Sequence, residues 1–211
     1  MWLERLDLRG GDLTATRFDG TRLRQVGLAD AVLERAALHG VEWVGCDLRQ
    51  ARLAGLEGHG GLLSACDLSR ASAEGMRLRG TRLVDCRLGG ARLDGARLVG
   101  VTLEGGETSY MRLARAVLLG TRISHPRLGG GQLMRVDLRG AFLVDCDLKA
   151  ANFYAADLRG AVLVRCDLSD AAFDGADLTA AVLIDCVTAR TDWADARRPG
   201  GAGARQHDGG A

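Results

Sequence analysis

The residues with the most chemistry to offer are six cysteines, Cys46, Cys66, Cys86, Cys146, Cys166 and Cys186, all separated by multiples of twenty. Thiols can cross-link, hold a soft metal or act as nucleophiles, depending on what each one faces. Four histidines, His39, His59, His125 and His207, could add ligands or a general base. Five aspartates at ten-residue spacing, Asp137, Asp147, Asp157, Asp167 and Asp177, could form an acid cluster. The spacing argues against most of this. A shared phase of twenty puts the thiols in one column, all pointing the same way. Neighbouring Cα atoms then fall inside the disulfide window of roughly 4.4–6.8 Å, but parallel side chains and a reducing compartment oppose the bond. Tetrahedral zinc needs four ligands that converge on a point, and a straight column does not converge. The column reads as structural, each Cys acting as a small buried hydrophobe. No histidine has a partner at ligand or triad spacing. No catalytic residue, metal or cofactor is expected.

What positions these residues is a beat of five. From Leu3 to Trp193 every fifth residue makes 39 sites, and 35 of them are large and apolar; Gly58, Ala73, Thr108 and Thr188 are the exceptions. A period of five is neither helical nor that of a plain strand. It marks a repeated unit, with a large residue at its centre and a small one two positions earlier, such as Ala31, Ala51, Ala141, Ala151 or any of the six Cys. The remaining three positions carry nearly all the charge. Stacked units bury a narrow continuous core, as in solenoids. The segments TRLVDC (81–86), AFLVDC (141–146), AVLVRC (161–166) and AVLIDC (181–186) add a second period of twenty, so four units close one turn of square section. Turns stacked one strand spacing apart, about 4.8 Å, make a rod on the order of 45 Å long.

Units such as Ala-Asp-Leu-Arg-Gly (156–160), Ala-Asn-Phe-Tyr-Ala (151–155) and Ala-Asp-Leu-Thr-Ala (176–180) resemble the A(D/N)LXX consensus of pentapeptide-repeat proteins, in one register over residues 1–196. The resemblance implies an all-β fold, a right-handed quadrilateral parallel β-helix of nine to ten coils. It is best over 136–180 and weakens over 71–130, where Arg77, Arg82, Arg87, Arg92 and Arg97 stand before the centre in place of Asp or Asn. Some members of the family protect DNA gyrase or topoisomerase IV from inhibitors by occupying the DNA site. The resemblance therefore implies a protein partner of that kind and a role in antibiotic resistance or self-immunity. The C-terminal helix through which such members pair has no counterpart here.

The chain has 211 residues with 28 basic and 27 acidic groups, a net charge of +1 that predicts no direct nucleic-acid binding. Residues 71–130 are nevertheless basic (10 basic, 5 acidic) and 131–195 acidic (6 basic, 11 acidic), the latter containing the five aspartates as a candidate partner-binding segment. No apolar run is long enough for a membrane span and no signal-peptide core opens the chain, so a cytoplasmic protein is expected. The Gly/Arg-rich residues 197–211 read as a disordered tail. The pattern frays at 54–62, 104–111 and 124–132 and recovers each time in the same phase, which reads as drift in a tolerant solenoid ahead of local loops that grip a partner. Gly58 at a centre site predicts a void. Pro126 interrupts the Cys column, removes a ladder N–H and predicts a kink.

One outer surface breaks the rule of polar outward positions. Phe142, Val162 and Val182, and beside them Val144, Val164 and Ile184, stack on a single side of the square and form a candidate apolar face for a partner or for a second copy in a homodimer. Two functions follow: topoisomerase protection by a DNA-like rod, or a scaffold that docks another protein through this flat face. Neither is an enzyme, because the selective positions are committed to packing and no convergent polar pocket is left.

Overall fold

A chain that must bury every fifth residue can do so by turning a corner every fifth residue. The computed structural model describes residues 2–198, which form a parallel β-solenoid of about nine turns with no helix among the described residues. Sides one to four hold residues 1–5, 6–10, 11–15 and 16–20 of each twenty. The centre residue and the one two before it point inward, so Leu28, Ala31, Leu33 and Ala36 are each 0% exposed. Every pairing advances the chain by twenty, from Trp2 beside Arg22 to Val162 beside Val182. Side one is a sheet of ten three-residue strands, running from Trp2–Glu4 to Val182–Ile184. Side four pairs Ala37–His39, Glu57–His59, Arg77–Arg79 and Arg97–Val99, and the other sides are joined by single bridges such as Asp47 to Asp67. The ladder alternates direction: the Leu28 N–H donates up to the Asp47 carbonyl (2.6 Å), and the Asp47 N–H donates back to Val26 (3.0 Å).

Each corner is turned by a residue in the left-handed region, for example Arg35 (φ 57°), Asp85 (51°) and Arg165 (50°). That conformation costs roughly 1–2 kcal/mol for a residue with a Cβ. One corner avoids the cost in eight successive turns, at Gly20, Gly40, Gly60, Gly80, Gly100, Gly120, Gly140 and Gly160. A Cβ at any of these would meet nothing within 4 Å, so backbone torsion and not crowding favours glycine there.

The axis is filled differently along its length. Phe18 meets Trp43 edge-on (centroids 5.3 Å, 83°) near one end, and Phe153, Phe173 and Trp193 stack at the other. Between them the centre sites carry Leu or smaller residues, and an entirely apolar cavity of about 60 Å³ runs along the axis, lined among others by Ala73, Leu78, Leu98 and Leu113. Gly58 does not produce the void expected of it. A Cβ there would lie 2.9 Å from the Leu38 carbonyl oxygen and 3.0 Å from Leu78 Cδ2, so its neighbours already close that space. The axial cavity is lined instead by Ala73 and the leucines around it.

Two of the three frayed stretches lie flat in the coil and are not loops. The Gly60 N–H donates to Arg79 (2.9 Å) and the Leu62 N–H to Val41 (2.8 Å); the Gly130 N–H donates to Lys149 (2.8 Å). Only 104–111 is distorted. Gly106 has φ 79°, and a Cβ would collide with the Cys86 carbonyl, so no other residue fits. Glu107 makes no counterpart of the bond from Arg87 N–H to the Cys66 carbonyl (2.9 Å), and Tyr110 reaches Gly129 only at 3.5 Å. Pro126 forfeits nothing: among the described residues the N–H at Cys46, Cys66, Cys86, Cys146 and Cys166 donates to no backbone carbonyl either. Strands Thr102–Glu104, Arg122–Ser124 and Phe142–Val144 pair in unbroken register across it, so the pairing shows no kink. At the far end Arg197 still joins the ladder, donating to Ala176 (2.8 Å), and the Arg198 guanidinium lies 5.3 Å over the Trp193 ring. The coil thus passes the expected boundary at 196. Residues 199–211 of the anticipated tail lie outside the described residues.

Candidate functional site

The six Cys occupy one column at the inward position that follows side one. All are buried free thiols. Each S–H is held by carbonyls of its own turn and, from Cys66 on, of the turn below. Cys166 Sγ, for instance, lies 3.5 Å from both the Leu143 and Val164 oxygens. Hydrogen bonding with Cys146 pushes the Cys166 thiol up to about 12, with Cys186 opposing it and burial adding to it. The Cys46 and Cys186 thiols are pushed up as well, first by the neighbouring thiol and then by burial. Buried and held as thiols, Cys46, Cys166 and Cys186 are poor nucleophiles, while hydrogen bonding with Cys66 lowers the Cys86 thiol in the same buried column. Among the described residues no three His, Cys, Asp or Glu side chains converge on a point.

The five aspartates are split between opposite sides, Asp147 and Asp167 on side two and Asp137, Asp157 and Asp177 on side four. Each accepts a hydrogen bond from the backbone N–H two residues on: Arg139 on Asp137 (3.2 Å), Arg159 on Asp157 (3.2 Å), Lys149 on Asp147 (3.2 Å), Ser169 on Asp167 (3.0 Å) and Thr179 on Asp177 (2.9 Å). In the Asp-Leu-Arg units the arginine folds back as well. Arg139 Nε and Nη2 reach Asp137 at 2.9 and 2.7 Å, and Arg159 grips Asp157 at 2.8 and 2.6 Å. These bonds hold the Asp137 carboxyl below the usual range. The triplet is visible in the sequence at Asp7-Leu-Arg9, Asp47-Leu-Arg49, Asp137-Leu-Arg139 and Asp157-Leu-Arg159. Its meaning, an acid neutralised on the spot, emerges only with the turn geometry.

The apolar residues of side one do come together. Phe142, Val162 and Val182 are in register, as are Val144, Val164 and Ile184. Phe142, Val182 and Ile184 are 46%, 39% and 41% exposed, and the other three are half-buried. Arg122 lies over one end with its guanidinium 5.9 Å from the Phe142 ring, and the pair of Asp145 and Arg165 (2.6 Å) runs along one edge. The result is a flat ladder of six apolar side chains with charge at its margins. Sequence spacing did not reveal that His39 and His59 stack on side four (centroids 4.2 Å, 28°), leaving His39 Nδ1 buried without a partner.

No curated protein sequence matches the chain significantly. A family profile described as Pentapeptide repeats matches in eight copies, at residues 66–105, 132–170 and 146–185. Among solved structures, HetL from the cyanobacterium Nostoc sp. strain PCC 7120, a pentapeptide repeat protein involved in heterocyst differentiation regulation, is 30% identical. The match covers 97% of this chain and 92% of that one, with TM-score 0.40. A trypsin-treated variant of QnrB1, a plasmid-mediated fluoroquinolone resistance protein, is 20% identical over 96% of this chain and 92% of that one, with TM-score 0.42. A pentapeptide repeat protein of the Arabidopsis thaliana thylakoid lumen is 19% identical over 82% of this chain and 68% of that one, with TM-score 0.24. With every TM-score below 0.5, superposition contributes nothing here. The repeated motif and the identity to HetL across nearly the whole length carry the conclusion that this chain belongs to the pentapeptide-repeat family.

Proposed function

We propose that this protein is a non-catalytic docking rod, and that side one between Phe142 and Ile184 holds a partner protein. The observation that carries the reading is the pair of in-register ladders, six apolar side chains on a flat sheet. Soluble proteins seldom leave such a contiguous patch open, and flatness suits it to another protein surface better than to a small molecule. The buried free thiols support a reducing, cytoplasmic setting. The test is Val164→Lys with Ile184→Lys, compared with the parent for retention of partners and for mass in sedimentation, with circular dichroism as the folding control. Loss of a specific partner supports docking, and loss of a dimer assigns the same side to self-association. A folded variant unchanged in both overturns the reading.

A narrower reading is protection of DNA gyrase or topoisomerase IV by DNA-like shape. Its support is the unbroken rod of about nine turns. The acidic segment lends it less, since Asp137 and Asp157 are bound to Arg139 and Arg159. A supercoiling assay with a gyrase poison decides: restored supercoiling with added protein supports protection, and none at excess removes it.

A further inference from the structure

Along the corner after side three, Arg115 and Arg135 stand one above the other without an acid between them. Two other corner arginines are balanced by an acid, while among the described residues Arg5, Arg35 and Arg70 are not, and none of those three stacks on another arginine. Arg165 reaches twenty residues back to Asp145 (2.6 and 2.7 Å), and Arg190 reaches back to Asp170 in the same way (2.6 and 2.7 Å). Twenty residues below Arg115 is Gly95, below Arg135 is Arg115 itself, and above Arg135 is Ala155. The nearby carboxylate, Asp94, is already taken by the Arg112 guanidinium (3.0 Å) and the Ala114 N–H (3.0 Å). Among the described residues neither Arg115 nor Arg135 has an ion-pair partner, and both are exposed.

These two cations border an open depression of about 630 Å³ on side three, lined also by Gly95, Ala114, Met134, Tyr154 and the Asp94–Arg112 ion pair. Ala114 stands where the next two turns carry Met134 and Tyr154, and Gly95 where they carry Arg115 and Arg135, which leaves the surface recessed there. Tyr154 is 43% exposed, so its ring is available to a ligand.

We propose that this depression is a binding site for a small phosphate monoester that carries a planar ring, the chemistry of a nucleoside monophosphate. Two arginines whose backbones lie about one strand spacing apart can bring two guanidinium forks to one phosphate dianion and match its charge. Tyr154 offers a face on which a ring stacks, and Met134 supplies a polarisable apolar contact beside it. The site lies on a different side from the apolar ladders and does not depend on the docking role given to them.

The experiment is calorimetric titration of the full chain at low salt with adenosine monophosphate, inorganic phosphate and adenosine. Saturable one-to-one binding of the monophosphate is expected, with inorganic phosphate about tenfold weaker for want of the stacked ring. Arg115→Gly with Arg135→Gly should abolish both. Glycine is safe there because both residues sit in the left-handed region (φ 59° and 55°). Tyr154→Ala should lower the affinity for the monophosphate to that for phosphate and leave phosphate unchanged. Undetectable heat at millimolar monophosphate, equal binding of adenosine, or undiminished affinity in the double glycine variant would each overturn the proposal. So would a single-stranded oligonucleotide whose affinity rises with length, because that would make the site a nucleic-acid contact.

Discussion

The rings of Phe153 and Phe173 lie 4.5 Å apart and 6° from parallel, one turn directly above the other, and Trp193 continues the stack 4.7 Å beyond Phe173. Both phenylalanines are 0% exposed. Phe173 therefore packs against aromatic rings above and below. Phe173→Ala should cost about 3–5 kcal/mol, seen as a fall in melting temperature of roughly 10 °C for a chain of this size. A loss below about 1 kcal/mol would mean that the last turns contribute little to the cooperative unit.

Thr108 stands at a centre site where most turns carry Leu. It is 0% exposed and its hydroxyl has no partner. A buried hydroxyl without a bond costs about 1–3 kcal/mol. Thr108→Val keeps the shape and removes that cost, so it should stabilise by about 1 kcal/mol, measured as a higher urea midpoint with unchanged slope. A lower midpoint would show that the hydroxyl finds a partner in solution.

Ala73 lines the axial cavity. Ala73→Leu should fill part of it and raise stability by about 0.5–2 kcal/mol. Xenon uptake at the cavity, followed by chemical-shift changes, should weaken in the same variant. A destabilised Ala73→Leu protein would show that the neighbouring leucines cannot make room.

Acid should destabilise the coil late. The Arg9 side chain, followed by its backbone N–H, lowers the Asp7 carboxyl to about 2 from an ordinary value near 3.8. Arginine partners likewise lower Asp137, Asp145 and Asp170. A carboxyl depressed in the folded state stabilises above its unfolded pKa, and that stability is lost as pH falls through the folded value. The urea midpoint should therefore hold from neutrality to about pH 4 and fall between there and about pH 2. A fall that is complete above pH 4 would contradict these pairings.

The fold was legible in the sequence because its two periods are set by packing, and packing is written in residue size. Leu23 through Leu183 announce where the interior lies, and the phase of the cysteines announces the turn. What stayed hidden depends on torsion and on local hydrogen bonds. The glycines from Gly20 to Gly160 lie in plain view at twenty-residue spacing, yet their message concerns φ and not burial. Pro126 looked disruptive because any ladder N–H was assumed to be bonded, and at this position the geometry leaves it idle. Asp137 and Arg139 are two residues apart in sequence, and only the turn brings their side chains to 2.7 Å. The side-three depression is invisible along the chain, since Gly95, Ala114 and Tyr154 meet only after whole turns are stacked.

Because each turn repeats the register of the one before it, the rod also works as a measuring stick. Removing or duplicating any twenty residues returns every later side chain to the same side and shifts it along the axis by one strand spacing. The axial offset between the stacked arginines and the apolar ladders can thus be lengthened, by twenty residues at a time between Arg135 and Phe142, in steps of about 4.8 Å without rotating one feature relative to the other.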